Sequence, residues 1–288
     1  MGAIPGNIET DQQPPMTVPL RHFVVGLGFL VAGVGVGIGT RLGVVPGLAR
    51  LDHVHLLFAG WICLTILGAM TQFVPVWSGV TLHSRRLANV QLGLVAAGIA
   101  GIVGSFLLGE LVWLVPFAGL ALVGFWIFAY NIVRTLGAVE RYDVTERHFL
   151  GALGFVLVLT VLGVLLVVDF TVPTFSRVGV GRAGVVGAHA TLAVFGAVLT
   201  TVYGALYQLG TMFTQTELHG IDHRLRAVEE VAHPTGVVVF AAGRLVRNAP
   251  VERGGGLLLL LAASAFCLVL APRHSDLPVG LTLLPRCD

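Results

Sequence analysis

Residues 53–73 read HVHLLFAGWICLTILGAMTQF, a stretch with no Asp, Glu, Lys or Arg. A helix needs about 20 mostly apolar residues to cross the hydrocarbon core of a bilayer, and this stretch meets that length. The whole chain is 56% hydrophobic and 11% charged, with a mean hydropathy of +0.90. These values lie outside the range of soluble domains, so the sequence predicts an integral membrane protein surrounded by a lipid bilayer.

Apolar windows of sufficient length occur eight times along the chain. They lie near residues 22–44, 54–77, 88–108, 111–134, 149–169, 185–210, 228–246 and 255–271. The fold expected is therefore all-α, a polytopic membrane helical bundle of about eight transmembrane helices. The seventh window is the weakest, because it contains Glu229, Glu230, His233, Pro234 and Arg244. We expect it to form a short or broken span that neighbouring helices or a cavity must shelter.

The stretch at 53–73 recurs at an offset of 136 residues, where it aligns without gaps with residues 189–209. The identical pairs are His53/His189, Leu56/Leu192, Gly60/Gly196, Thr65/Thr201, Gly68/Gly204, Ala69/Ala205 and Gln72/Gln208, and the register continues to Leu82-His83 against Leu218-His219. Apolar helices match by chance through Leu, Ala and Gly, but a His, a Thr and a Gln in one register are harder to obtain that way. The repeat therefore indicates a duplicated helical unit.

We interpret the chain as two four-helix repeats, residues 20–137 and residues 148–272. The segment 1–19 is expected to be a flexible cytoplasmic tail, and 273–288 a C-terminal tail.

The distribution of arginine predicts the orientation of the chain, which has no lysine. Ten of the seventeen arginines fall on the side of the N-terminus and seven on the opposite side. Positive charge favours the cytoplasmic side, so we expect a multi-pass protein of the cell membrane with both termini in the cytoplasm. No basic cluster occurs that would indicate a nucleic-acid partner.

The three cysteines, Cys63, Cys267 and Cys287, lack any Cys-x-x-Cys spacing. The sequence therefore supports no disulfide framework, no thiolate metal site and no covalent attachment of a c-type haem.

Histidines at the start of two predicted helices are the main functional candidates, because ionisable side chains within a span are expensive. His53, His55 and His189 each lie in a first turn. His53 and His55 are two residues apart, so on a helix they point about 200° apart. They cannot chelate one ion together, but each can serve a site on its own side of the helix. The alternative is that one of these histidines faces the lipid headgroups and the other makes a hydrogen bond in the core.

The remaining polar residues near these histidines have simpler explanations. Asp52 is expected to cap the second helix. Arg50 and Arg182 could pair with carboxylates of a bound group or anchor the chain at the interface. A solvated or interfacial role is expected for the histidines in loops or at helix ends, which are His22, His83, His148, His219, His223 and His274.

The run from His53 to His83 resembles the tenth helix of haem-copper oxidase subunit I. That helix carries a His-x-His pair, a Gly-Gly or Gly-Ala step fifteen residues on, and an aromatic-x-Pro-x-x-Ser-Gly-x-Thr-Leu ending. The matching elements here are Gly68-Ala69, Val74-Pro75, Ser78-Gly79 and Thr81-Leu82. This match spans about thirty residues of the chain. The family is built of three four-helix arcs, and the repeat looks like two of them.

The resemblance implies a set of haem ligands. In the family, the second His of the pair and a single His on the second helix of another arc are the axial ligands of a low-spin haem. His55 and His189 match these positions, and Gly204-Ala205 resembles the step after the single His. His53 would then face a second site. The haem implied is b-type or a-type and non-covalent, and the implied metal ligands are His55, His189 and His53.

The resemblance does not extend to copper. The copper site of the family needs a His-Pro-Glu-Val-Tyr helix and a following His-His pair, neither of which is present. The chain also has no room for the third arc. Its enzymatic status is therefore open: it is oxidoreductase-like, but oxygen reduction is not expected from this chain alone.

The function implied is that of a haem-binding membrane protein in electron transfer, or of an oxidase-like subunit. Its partners would be a redox protein or a quinol, together with further helices from a homo-oligomer or a partner subunit. Two alternatives remain: a transporter or channel with a histidine-lined path, and an assembly subunit without a cofactor. Glu229, Glu230 and His233 could relay protons, bind a quinol, or simply sit in the membrane interface.

Overall fold

A computed structural model describes residues 14–45, 48–214 and 220–271 of the chain. In these ranges every regular element is a helix. The eight helices are α1 (Thr17–Arg41), α2 (Ala49–Trp77), α3 (Arg85–Leu108), α4 (Leu114–Leu136, after a 3₁₀ turn at Leu111–Trp113), α5 (Val144–Thr171), α6 (Arg182–Thr191, Leu192–Leu199 and Thr200–Thr214), α7 (Ile221–Leu245) and α8 (Ala249–Leu270). The predicted all-α helical bundle is confirmed.

Seven of these helices are long and apolar enough to cross a membrane; the exception is α7. The outer surface is apolar as well. On α1, Val24, Val31 and Ile38 recur every seventh residue along one face and are 67%, 72% and 56% exposed. Such a stripe of exposed aliphatic side chains is typical of a lipid-facing surface.

The helix α7 differs from the short or broken span expected. It is continuous over 25 residues and passes through Pro234 without interruption. The expected shelter is present, because Glu229 and His233 are completely buried by neighbouring helices.

Both central helices change their winding at equivalent places. In α2 the segment Leu56–Cys63 is π-helical, and in α6 the segment Leu192–Leu199 is π-helical. The two segments are 136 positions apart, the offset of the sequence repeat. π-helical turns are rare and frequently occur at functional sites, and here the irregular winding is duplicated together with the sequence repeat.

Contacts between the first two helices of each unit are duplicated too. A Cβ atom on Gly60 would lie 2.7 Å from the ring of Phe29, and a Cβ on Gly196 would lie 2.8 Å from the ring of Phe155. The first helices correspond at an offset of 126 positions, since Phe155 is the counterpart of Phe29. Small residues thus allow the close helix approach that membrane packing requires.

Helices α4 and α5 pack against each other and join the two units. A shared apolar core extends across this junction, in which Phe128 and Ile132 of the first unit belong with Phe149 and Leu153 of the second. On the side of the N-terminus, the Ser78 hydroxyl donates to the Glu146 carboxylate at 2.7 Å.

Two helix starts lie outside the predicted repeats 20–137 and 148–272. The first helix begins at Thr17 instead of 20, and α5 begins at Val144 instead of 148. The earlier start of α5 has a clear cause: Asp143 and Glu146 form a capping box that satisfies free amides of the first turn. Of the predicted tail 1–19, residues 1–13 lie outside the described residues, and residues 17–19 belong to α1. The predicted tail 273–288 and the Leu218-His219 end of the repeat also lie outside the described residues.

The expectation for Asp52 is wrong. Helix α2 begins at Ala49 with Leu48 at the N-cap, so Asp52 lies in the first turn. Its side chain is fully buried, and neither carboxylate oxygen has a hydrogen-bond partner within the described residues.

Candidate cofactor site

His53 and His189 are held in the same way by the first helix of their own unit. The Nδ1 atom of His53 donates to the Gly33 carbonyl of α1 at 2.8 Å, and Nδ1 of His189 donates to the Leu159 carbonyl of α5 at 2.9 Å. A carbonyl oxygen only accepts, so each Nδ1 carries the hydrogen. Both rings are therefore fixed in orientation and tautomer.

Glycines make room for these two rings. A Cβ on Gly37 would lie 2.7 Å from Cε1 of His53, and a Cβ on Gly163 would lie 3.1 Å from Cε1 of His189. The glycines are 126 positions apart, as the equivalent residues of α1 and α5 are. The repeat therefore includes the seat of each imidazole.

His55 points to the other side of α2, as its spacing from His53 predicts. Its Nδ1 donates to the Leu51 carbonyl one turn earlier at 2.8 Å, and its ring faces Phe106 of α3 at 6.2 Å between centroids. His55 also lies within electrostatic range of His189. His55 and His189, which belong to different units, thus lie near enough to influence each other electrostatically.

The histidines fall into two groups, according to whether Nε2 has a hydrogen-bond partner. In His53, His55 and His189 no described residue hydrogen-bonds to Nε2, and the side chains are partly exposed. Metal-bound histidines commonly donate one ring nitrogen to a carbonyl and bind the metal with the other. The three histidines that the sequence predicts as ligands have this arrangement.

Two histidines on the opposite membrane side are buried, contrary to the expectation of a solvated or interfacial role. His22 is 0% and His148 is 6% exposed, because the helices that follow in each unit cover the first turns of α1 and α5. Their Nε2 atoms already have partners, Gln91 for His22 and Glu229 for His148. These rings are not available as metal ligands without losing those bonds. His83 and His223 are exposed as expected, and His219 and His274 lie outside the described residues.

A sequence signal for the buried pair exists but needs a different offset. Residues 18–23 read VPLRHF and residues 144–149 read VTERHF, which places His22 opposite His148 at an offset of 126. The match does not appear at an offset of 136, the offset of the second helices, because the stretch from the first helix to the second is ten residues longer in the second unit.

The two candidate arginines differ in their surroundings. Arg182 is already engaged: Nη1 donates to the Asp169 carboxylate at 2.8 Å and to the Leu166 carbonyl at 2.9 Å. Its guanidinium also lies 4.1 Å from the centre of the Phe170 ring. Arg50 is exposed at the start of α2. Of the two arginines, Arg50 is therefore the more accessible to an anionic group near the histidines.

Aromatic rings connect this region of the two units. Phe106 contacts Phe170 at 5.9 Å between centroids, and Phe106 is also the ring that faces His55. Apolar rings of this kind exclude water from a planar, largely apolar ligand.

The candidate ligands that His55 and His189 offer are two imidazoles. Within the described ranges, no three His, Cys, Asp or Glu side chains converge in a way that could hold a metal ion. Two histidines suffice for a haem iron, since the porphyrin supplies the remaining ligands. Comparison of the sequence with family models and with curated proteins gave no match.

Proposed function

We propose that the chain binds a b-type or a-type haem non-covalently between α2 and α6, with His55 and His189 as the two axial ligands, and that it acts in electron transfer. The observation that carries the proposal is the shared arrangement of His55 and His189: each has Nδ1 bonded to a backbone carbonyl, and no described residue bonds to its Nε2. The two rings also lie within electrostatic range of each other. Neutral imidazole binds iron through the nitrogen that bears the lone pair, which is Nε2 in both residues.

The chain's own residues account for the environment such a group needs. The backbone carbonyls at Leu51 and Leu159 hold the ligand rings against rotation. Phe106 and Phe170 provide apolar contact. Arg50 is the exposed cation for a haem propionate, whereas Arg182 would bind one only in addition to Asp169 or in its place. The bound haem would supply a one-electron redox centre whose potential the protein sets through ligands and burial.

His53 is assigned to a second site. It lies on the other side of α2 from His55, and no described residue hydrogen-bonds to its Nε2. A further unit, from a second copy of the chain or from a partner subunit, would complete that side, and a redox protein or a quinol would exchange electrons with the haem. We place the protein in the cell membrane with both termini in the cytoplasm.

The reduced-minus-oxidised absorption spectrum of the detergent-purified protein tests the proposal. We expect the sharp bands of a low-spin haem, and we expect His55→Ala and His189→Ala each to abolish them. His83→Ala is the matched control, because the His83 side chain is exposed and its ring packs against Tyr130, and it should keep the bands. A colourless wild-type protein with solute flux in liposomes would overturn the proposal in favour of a transporter or channel.

A further inference from the structure

A cluster of buried titratable side chains lies in the second unit, on the opposite membrane side from the candidate haem ligands. Nε2 of His148 lies 3.1 Å from Oε1 of Glu229, and the Tyr207 hydroxyl donates to Oε2 of Glu229 at 3.0 Å. The three side chains come from α5, α7 and α6, and Glu229 is 0% exposed. The proposed haem function does not use this cluster.

The geometry fixes the number of protons in the His148–Glu229 pair. Nδ1 of His148 lies 2.8 Å from the Val144 carbonyl, which only accepts, so Nδ1 carries a hydrogen. A neutral ring then has a lone pair at Nε2, and an ionised carboxylate has lone pairs at Oε1. Two lone pairs do not form a hydrogen bond, so the contact requires one additional proton between the two atoms.

That proton can belong to either partner. An imidazolium beside a carboxylate and a neutral imidazole beside a carboxylic acid have the same total charge of zero. Zero net charge is what allows the pair to be buried, since an isolated ion in such surroundings is very unfavourable. Loss of the shared proton would leave a net negative charge in the core.

The first unit has the same framework without this proton. His22 takes the place of His148, with Nδ1 donating to the Val18 carbonyl at 2.9 Å. Its partner on α3 is Gln91, whose amide donates to Nε2 of His22 and to the Ala88 carbonyl. The amide already supplies the hydrogen of this bond, so His22 stays neutral. An amide and a carboxyl therefore occupy equivalent positions, and only the second unit has an acid beside this histidine.

His233 extends the cluster by one helical turn from Glu229. Its Nε2 lies 3.1 Å from the Phe195 carbonyl and therefore donates, and it also contacts the Thr200 hydroxyl at 2.9 Å. Nδ1 is buried and has no hydrogen-bond partner within the described residues. A buried lone pair of this kind is a proton acceptor, and it lies within electrostatic range of both Glu229 and His148.

An exposed ion pair lies directly beside the buried pair. Arg147 and Glu230 are the chain neighbours of His148 and Glu229, and they contact each other at 2.7 Å on the surface. The other charged or titratable groups around the cluster are Arg226, which contacts Glu230, and Tyr203 and Cys267 farther along α6 and α8. The residues next to His148 and Glu229 in the chain thus reach the aqueous surface, and His233 on the other side of the cluster is buried in the core.

We propose that His148, Glu229 and Tyr207 form a proton-binding site that exchanges a proton with the aqueous phase on the side of Arg147 and Glu230, and that His233 is the next acceptor toward the core. The ligand is a proton and not a larger molecule, because the side chains are packed against each other and Glu229 has no exposed surface. The site does not rest on the presence of haem.

Infrared spectroscopy of the full-length protein in lipid nanodiscs tests the proposal directly. Difference spectra between wild type and Glu229→Gln identify the carboxyl and imidazole bands of the cluster. This substitution copies the His22–Gln91 pair of the first unit, so the fold should tolerate it. We expect these bands to change with bulk pH and to shift after transfer to D₂O, and we expect the signal to be lost in Glu229→Gln.

Two further variants keep the test decisive. Glu230→Gln removes the exposed neighbouring carboxylate and should leave the pH-dependent bands of the cluster in place. Tyr207→Phe removes only the hydroxyl that donates to Oε2, and it should shift the carboxyl band without abolishing its response to pH. Cluster bands that stay constant over the pH range in which the protein is folded, and that do not shift in D₂O, would show a fixed structural pair and overturn the proposal.

Discussion

His53 and His189 occupy equivalent places in the two units, each with Nδ1 donating to a backbone carbonyl of the preceding helix, Gly33 at 2.8 Å and Leu159 at 2.9 Å. The two rings nevertheless have different neighbours on their Nε2 side. His189 lies within electrostatic range of His55 of the other unit, and the counterpart of His55 in the second unit is Thr191. The proposed haem ligands His55 and His189 are therefore not equivalent residues, although the two helices that carry them are equivalent.

The glycines that seat the two rings provide a test of this asymmetry. In Gly163→Val the added side chain would displace His189, because a Cβ there already lies 3.1 Å from Cε1. We expect the purified variant to lose the low-spin haem bands. Gly37→Val displaces His53 in the same way, but His53 is not one of the proposed axial ligands, so the bands should persist. Equal loss of haem in both variants would contradict the assignment of His55 and His189.

The sequence alone predicts the helical bundle, because a lipid environment requires long apolar segments. It also predicts that α2 and α6 are equivalent, because identical polar residues recur at the same positions in both helices. It also predicts that His53 and His55 face opposite sides, since the angle per residue is a property of the helix. It does not predict the burial of His22 and His148. Apolar periodicity gives the face of a helix but not how deeply neighbouring helices cover its first turn.

The buried carboxyl of Asp52 shows a second limit of sequence reasoning. Its preference for the N-cap is a local effect, whereas helix α2 starts three residues earlier at Ala49. The counterpart in the second unit is Ala188, which is equally buried. The two units therefore place an acid and a methyl group in equivalent core positions.

This comparison predicts that Asp52→Ala stabilises the protein. An unpartnered buried polar group destabilises the fold by about 1–3 kcal/mol, so its removal should raise the free energy of unfolding by a similar amount. Denaturant titration in detergent measures the change. Asp169→Ala is the matched contrast and should destabilise, because Asp169 accepts bonds from the Thr174 and Phe175 amides and from Arg182. A loss of stability in Asp52→Ala would show that its carboxyl has a partner after all.

Neighbouring glycines in α8 should respond in opposite directions to the same substitution. A Cβ at Gly255 would collide with the backbone of Phe240 on α7, whereas a Cβ at Gly254 would meet no atom within 4 Å. We expect Gly255→Ala to lower the free energy of unfolding by about 1–3 kcal/mol through overpacking. Gly254→Ala should raise it by about 0.5–1 kcal/mol, since alanine favours the helix. Equal effects would mean that α7 and α8 are not in close contact.

The bond between Ser78 and Glu146 predicts an energetic coupling of the two units. The Ser78 hydroxyl at the end of α2 donates to Oε1 of Glu146, while Oε2 accepts from the Asp143 amide at the start of α5. A hydrogen bond to a charged acceptor contributes about 1.5–3 kcal/mol, and here it joins α2 of the first unit to α5 of the second. A double-mutant cycle with Ser78→Ala and Glu146→Gln isolates this term from the capping bond. We expect a coupling energy of at least about 0.5 kcal/mol, the lower end for contacting residues. Strictly additive effects would mean that the two units are joined by the apolar junction of α4 and α5 alone.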